Sequence, residues 1–360
     1  MQTPFIIAEL SANHNQSLEV ALKSVEAIAK TGANAIKVQT YKPSCLTLPY
    51  KNEYFRINDG LWKDSYLWEL YEDAQMPWEW HKEIFSLAHT LGLESFSTPF
   101  SVEGVEFLEN LNCPIYKIAS FEVMHTPLLK AVAATKKPVI LSLGIANDDE
   151  IKRALEILKD NESITLLYCI SAYPATLSDA KLTNIQAIKE QWKHYNVKVG
   201  LSDHTLGISV PLMATLCGVS VIEKHFILDK NLGGVDSAFS LDVNEFSLMV
   251  NSVREICELA KDFYDTDSNL YDKEKGLLPI VKKHSCIESH IDSKEKKGRN
   301  FGRSLFVSKD VKAGEIISLE NIACVRPCFG MSPLKLDSIL GKTFSKDIKG
   351  GMPLLESYIE

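Results

Sequence analysis

Short runs of β-branched and other apolar residues recur along the first 230 positions, and each ends abruptly in polar side chains. They are FIIAEL (5–10), AIKVQT (35–40), LESFST (93–98), IYKIAS (115–120), PVILSLG (138–144), ITLLYCI (164–170), VKVGLSD (197–203) and VIEKHFI (221–227). Between most of them, stretches such as SLEVALKSVEAIAKTGA and HKEIFSLAHTLG carry helix periodicity and close on a glycine that suits a helix C-cap. Strand then helix, repeated eight times, predicts an α/β fold, a (β/α)8 TIM barrel. The main irregularity is the segment from Tyr41 to Pro77, rich in Trp, Tyr and Asp, between the second and third strands. A connection that long is expected to carry function, as a lid or substrate wall.

After about Asp262 the pattern changes. TDSN, DKEKG and DSKEKKGRN read as a charged linker holding a short helix around GLLPIVKKHS, and its lysine run reads as solvated surface. From Arg299 on, KDVKAGEIISLENI (309–322) and KDIKGGMPLLESYI (346–359) echo one another. Glycine turns between short apolar runs predict a small β-rich module. The expected division is a barrel over 1–262, a linker over 263–298 and a C-terminal domain over 299–360.

Composition narrows the function classes. At 360 residues and 45% hydrophobic content the chain can bury a large core. No apolar run approaches the roughly 18 residues of a membrane span, and the N-terminus enters a strand without a charged leader, so a cytoplasmic protein with no membrane partner is expected. The eight cysteines are scattered without a CxxC pair and read as buried thiols. A formal net charge of −8 offers nucleic acid no general attraction, and an anionic substrate needs a locally basic pocket.

That pocket belongs where the barrel strands end, because C-terminal strand ends form the active face of such a barrel. Standing there are Glu9, Lys37, Gln39, Lys117, Ser120, Glu122, Ser142, Ser171, Tyr173, Ser202, Asp203, His204, Glu223 and His225. Alternation puts Lys37 with Gln39, and Glu223 with His225, on one side of their strands. Two histidines from neighbouring strands, with carboxylates nearby, suit a divalent metal of the Mn, Mg, Co or Zn range. Two lysines with several serines, and no glycine-rich phosphate loop, point to an anion held by side chains. Phosphate or carboxylate would fit, and phosphoenolpyruvate carries both.

These residues sit in motifs that resemble the sialic acid synthase family: IAELSANH (7–14), IKVQTY (36–41), YKIASFE (116–122), LSLG (141–144), SAYP (171–174), GLSDHT (200–205), EKHF (223–226) and VDSAFSL (235–241). The match runs along nearly the whole chain. Within the family, LSANH, DGLWKDSYLWELYE (59–72) and DSAFSL are most similar to the pseudaminate-forming branch. The resemblance implies condensation of phosphoenolpyruvate with an N-acetylated amino sugar, with C–O cleavage and a divalent metal cofactor (Mn, Mg or Co). It places Glu9 at the catalytic carboxylate, and Lys37, Lys117, Ser120, Ser142, Ser171 and Ser202 at the phosphoenolpyruvate site. His204 and His225 fall at the metal, and Gln39, Glu122, Tyr173 and Asp236 in the sugar pocket. Ser171 replaces an asparagine of neuraminate-forming members, and Gln16 replaces the glycine usual after the Asn-His motif. The C-terminal module resembles the antifreeze-like (SAF) domain of the family. That likeness implies a domain-swapped homodimer in which each module caps the partner barrel and Arg326 reaches the sugar's N-acetyl group. It also implies a role in cell-surface glycan synthesis.

Rival expectations are the same reaction giving N-acetylneuraminic or legionaminic acid, a Schiff-base aldolase using Lys37 or Lys117, and a carbohydrate- or ice-binding protein with an inert barrel. So dense a cluster of ionisable groups costs stability unless used, which disfavours the last.

Overall fold

The computed structural model describes residues 2–264, 296 and 298–360, and of 261–264 the backbone alone. Eight parallel strands close into a barrel: β1 (Phe5–Glu9), β2 (Ala35–Thr40), β3 (Glu94–Pro99), β4 (Tyr116–Ile118), β5 (Val139–Ser142), β6 (Ile164–Cys169), β7 (Lys198–Asp203) and β8 (Val221–His225). β8 pairs back onto β1, with His225 opposite Glu9, and β1 onto β2, with Glu9 opposite Lys37. Each strand falls on one of the apolar runs. β4 is the shortest because Ser120–Glu122 turns into a single 3-10 helix, which swings Ser120 and Glu122 off the strand direction.

Helices α1 (Leu18–Thr31), α2 (Pro43–Leu46), α3 (Leu67–Ala74), α4 (His81–Thr90), α5 (Val102–Asn110), α6 (Thr126–Thr135), α7 (Asp148–Leu158), α8 (Thr183–Trp192), α9 (Ser209–Leu216) and α10 (Val243–Tyr264) follow the strands. Local chemistry explains their ends. The Ser17 hydroxyl accepts from the Val20 amide at 3.3 Å to open α1, and Gly32, at φ 83°, closes it in the left-handed conformation that glycine adopts without a steric cost. Ala21, Val25 and Ile28 face inward at helical spacing. Asn147 and Glu150 open α7 with a reciprocal capping box. One apolar shell joins β1, β2, β7 and β8 to α1, α4, α9 and α10, and a second joins β3–β6 to α5, α6 and α7.

The long segment after β2 holds α2 and α3 and buries Tyr41, Phe55, Leu67 and Tyr71 against Phe306 and Val325 of the C-terminal module. Phe55 and Phe306 pack with ring centroids 5.1 Å apart. Wall and module therefore share one apolar core. In the module, β9 (Ser304–Val307) runs antiparallel to β10 (Ile322–Val325), followed by α11 (Leu336–Ile339). The echoed motifs pair with each other: Val311 and Ile348 exchange backbone hydrogen bonds of 2.9 and 3.1 Å. Lys312–Asp347 and Lys349–Asp310 flank them, each at 2.6 Å. The helix expected around 276–285 lies outside the described residues. Cys45, Cys113, Cys169, Cys217, Cys324 and Cys328 are free thiols, and among the described residues no helix is long and apolar enough to cross a membrane.

Candidate active site

β7 ends in Ser-Asp with His204 directly after it, β8 ends in Glu-Lys-His, and their register sets Ser202 opposite Glu223 and Asp203 opposite Lys224. Alternation sends the first and third residue of each triplet to one side and the middle one to the other. On the first side Ser202 donates to Glu223 Oε1 at 2.8 Å. On the other, Lys224 is fully buried, ion-paired with Asp203 and bonded to the Thr205 carbonyl. Back on the first side the next step brings His204 and His225 together, ring centroids 5.5 Å apart.

Burial pushes His204 down to about 4 and His225 well below the usual imidazole range, with His204 adding to the effect, so both are neutral at pH 7. His204 Nδ1 lies 3.0 Å from the Ile170 carbonyl, which can only accept, so Nδ1 carries the proton and Nε2 a free lone pair. His225 Nδ1 is buried without a hydrogen-bond partner, 3.9 Å from Asp236 Oδ2. Two neutral imidazoles, one oriented by a backbone carbonyl, fit a divalent cation. Among the described residues no group of three or more His, Cys, Asp or Glu donors converges, so an ion held by this pair would keep positions for water or substrate.

Beside them lies a buried cluster of alternating charge. Lys37 is ion-paired with Glu9, donates to Thr98 Oγ1 at 3.1 Å and lies 3.6 Å from Glu223. Lys117 donates to Ser142 at 2.7 Å and lies 3.7 Å from the other oxygen of Glu223. Glu223 thus stands between two ammonium groups. Burial works against its charge, but Lys117 and Lys37 outweigh that and hold its pKa below the usual carboxylate value. For Lys37 burial also opposes the charge, and Glu223 and Glu9 overcome it and hold the ammonium above its ordinary pKa. Lys117 goes the other way, lowered by burial that Glu223 only partly offsets.

Ser120 and Ser171 complete the cluster, Oγ to Oγ at 2.8 Å. A Cβ on Gly144 would fall 2.2 Å from Ser171 Oγ and 2.9 Å from Ser120 Cβ, so only glycine leaves that floor open.

On the far side of Glu9 opens a cavity of about 150 Å³. Gln39 joins the two, donating to Glu9 at 3.3 Å and to Ser11 at 2.9 Å. Burial raises Glu9 to about 6, against the opposing pull of Lys37. Asp236 is raised by burial too. Tyr173 packs against His204, ring centroids 4.5 Å apart and planes tilted by 53°. The C-terminal module contributes Arg326, which donates to Glu122 Oε1 at 2.6 Å and lies 4.7 Å from the Phe121 ring centroid.

The expected residues thus fall in two adjoining compartments. Lys37, Lys117, Ser120, Ser142, Ser171 and Ser202 belong to the charged cluster; Gln39, Tyr173, His225, Asp236 and Arg326 line the cavity; and Glu9 stands between. Glu122 sits behind the wall, gripping Arg326 and, at 3.3 Å, the buried Arg303, instead of facing the cavity. Sequence reasoning placed Glu223 at a strand end without giving it a task and passed over Thr98, Arg303 and Trp62. Period-two alternation from His225 was the available signal for Glu223. Arg303 had none, since its carboxylate partner is 181 positions away.

A model described as the NeuB family matches residues 24–264, and one described as the SAF domain matches residues 302–360. The chain belongs to the NeuB family. Among its relatives is a pseudaminic acid synthase of Campylobacter jejuni subsp. jejuni serotype O:23/36 (strain 81-176), 46% identical, with 98% of this chain and 96% of that protein covered. A pseudaminic acid synthase of Helicobacter pylori (strain ATCC 700392 / 26695) is 44% identical, with 100% and 99% covered. The crystal structure of the spore coat polysaccharide biosynthesis protein SpsE of Bacillus subtilis superposes with a TM-score of 0.78 at 27% identity, covering 99% of this chain and 95% of that one. As a NeuB-family protein the chain therefore keeps both the barrel and the SAF domain.

Proposed function

We infer that this NeuB-family enzyme is a pseudaminic acid synthase, condensing phosphoenolpyruvate with 2,4-diacetamido-2,4,6-trideoxy-L-altrose to give pseudaminic acid and phosphate. The relatives of that activity match end to end. The observation that carries the chemistry is the position of Glu9, ion-paired to Lys37 of the charged cluster and bonded to Gln39 of the cavity. It stands where an anion in one compartment would meet a sugar in the other.

In this reading Lys37 and Lys117, with Ser120, Ser142, Ser171 and Ser202, hold the phosphate and carboxylate of phosphoenolpyruvate. Gln39, Tyr173, Asp236 and Arg326 hold the open-chain sugar, with Glu122 fixing Arg326. C3 of phosphoenolpyruvate attacks the aldehyde carbon, whose electron pair moves to oxygen. Positive charge then develops at C2 and water adds there, Glu9 taking one of its protons and passing it to the new alkoxide; the C2–O bond to phosphate then breaks as the C2 hydroxyl gives its proton to the departing phosphate, leaving the 2-keto acid. A divalent ion (Mn, Mg or Co) at His204 and His225 would supply Lewis-acid polarisation of the aldehyde. The working unit is a homodimer in a cytoplasmic pathway to surface glycans, each SAF domain capping the partner barrel through the contacts that Arg303 and Arg326 make here.

The test is phosphate release from phosphoenolpyruvate, with and without Mn²⁺, using the altrose sugar, 2,4-diacetamido-2,4,6-trideoxy-D-mannose and N-acetylmannosamine. Metal-dependent release with the altrose sugar alone is expected. Preference for either other sugar would replace the product assignment by legionaminic or neuraminic acid, and no release with any of them would overturn the synthase reading.

A further inference from the structure

The cavity has a polarity gradient. Toward the barrel it presents Ser11, Gln39, His225 and Asp236; the long segment after β2 presents Leu46, Trp62, Leu70 and Ala74 together with the rings of Tyr41 and Tyr71. Trp62 closes this apolar side. Its indole N–H donates to the Val235 carbonyl at 3.2 Å, beside Asp236, and its ring lies 6.0 Å from Tyr173. One side chain thus ties the wall to the loop after β8 and faces the residues after β6. A sugar whose aldehyde points at Glu9 and the histidines must lay its other end on this face. Against the Trp62 ring, whose N–H is already given to Val235, a hydroxyl would give up water without gaining a partner, whereas a methyl group gains contact area.

We propose that Trp62 is the specificity-determining residue for the far end of the sugar, selecting a deoxygenated C6, a methyl in place of CH2OH. The proposal rests on the pseudaminate reading, which supplies a 6-deoxy substrate. Trp62 acts on binding, not on bond making. A pocket that discriminates by one small group in an apolar wall reaches roughly 10- to 100-fold.

Steady-state kinetics would be measured for the wild type, Trp62→Ala and Trp62→Phe. The two sugars are 2,4-diacetamido-2,4,6-trideoxy-L-altrose and its 6-hydroxy counterpart, with phosphoenolpyruvate KM and thermal midpoint recorded alongside. The wild type is expected to prefer the 6-deoxy sugar by roughly 10- to 100-fold in kcat/KM. Trp62→Ala should raise KM for that sugar about tenfold, cut the preference to a few-fold and leave the phosphoenolpyruvate KM alone. Trp62→Phe, which keeps an apolar face but loses the bond to Val235, should keep most of the preference. A preference unchanged in Trp62→Ala, with the altrose sugar still turned over, would overturn the role of Trp62 and leave the synthase assignment standing. A wild type that ignores both altrose sugars but turns over N-acetylmannosamine would overturn the pseudaminate reading and this proposal with it.

Discussion

At the scale of single residues, Glu9 ties the two compartments together, and its environment sets its proton affinity. Its carboxyl is nearly wholly buried, and desolvation raises its pKa to about 6 although Lys37 pulls the other way. A base at that value is ionised at neutral pH yet still holds a proton well enough to accept one from an attacking water. The sign follows directly. Below about 6 Glu9 is protonated and cannot take a proton, so kcat/KM should fall about tenfold per pH unit on the acid side and level off above it. Glu9→Gln keeps the hydrogen bond from Gln39 within reach and removes the base, so kcat should drop by roughly 10²- to 10⁴-fold. Both substrate KM values should change little, and the acid limb should disappear. A pH series of initial rates on both proteins checks this, and a retained limb in the variant would move the titration to another group.

At the scale of elements, the ends of β7 and β8 form the rungs Ser202–Glu223 and Asp203–Lys224, the second pointing away from the site, and just past them the rings of His204 and His225 come together. The buried ion pair of the second rung holds the two strands at fixed spacing, and its charges reach the imidazoles as well, Asp203 raising and Lys224 lowering the proton affinity of His204. Removing one charge by Lys224→Met leaves Asp203 buried beside Thr205 and should cost on the order of 3–5 kcal/mol. Replacing both charges, Asp203→Leu with Lys224→Met, should restore most of the stability while letting the strand ends relax. Mn²⁺ binding followed by EPR should then weaken about tenfold in the double variant, the effect expected when support behind a ligand is lost. Unchanged binding would make the pair a matter of folding alone. These strands also show what a sequence discloses. Runs such as VIEKHFI reveal strand and face because period two is local, and the glycine closing α1 is equally local. Glu223 was visible by position but not by task, since its partners Lys37 and Lys117 come from β2 and β4. The turn that takes Glu122 behind the cavity wall is set by packing against Arg303 and Arg326, which no spacing in the chain predicts.

At the scale of the molecule, the site is unfinished without the SAF domain. Arg303 donates to Glu122 and to the carbonyls of Cys45, Phe100 and Cys324, and Arg326 faces the cavity between Tyr71 and Phe121. Gly350 and Gly351 lie against Tyr50 so closely that a Cβ on either would fall within 2.6 Å of that side chain. Barrel, wall and module fit as one surface, and the same contacts form whether the module comes from the same chain or from a second copy. The two arrangements differ in what mixed oligomers can do. Arg326→Ala should lose sugar binding and His225→Ala should lose turnover, each nearly inactive alone. If modules are exchanged between subunits, unfolding and refolding the two variants together creates dimers in which one site has both its histidine and its arginine intact. Random pairing then restores about a quarter of the wild-type sites. If each module caps its own barrel, every site carries one defect and no activity returns. Recovery of about a quarter of wild-type phosphate release is the expected result. Its absence, with dimers verified by light scattering, would assign Arg326 to its own barrel.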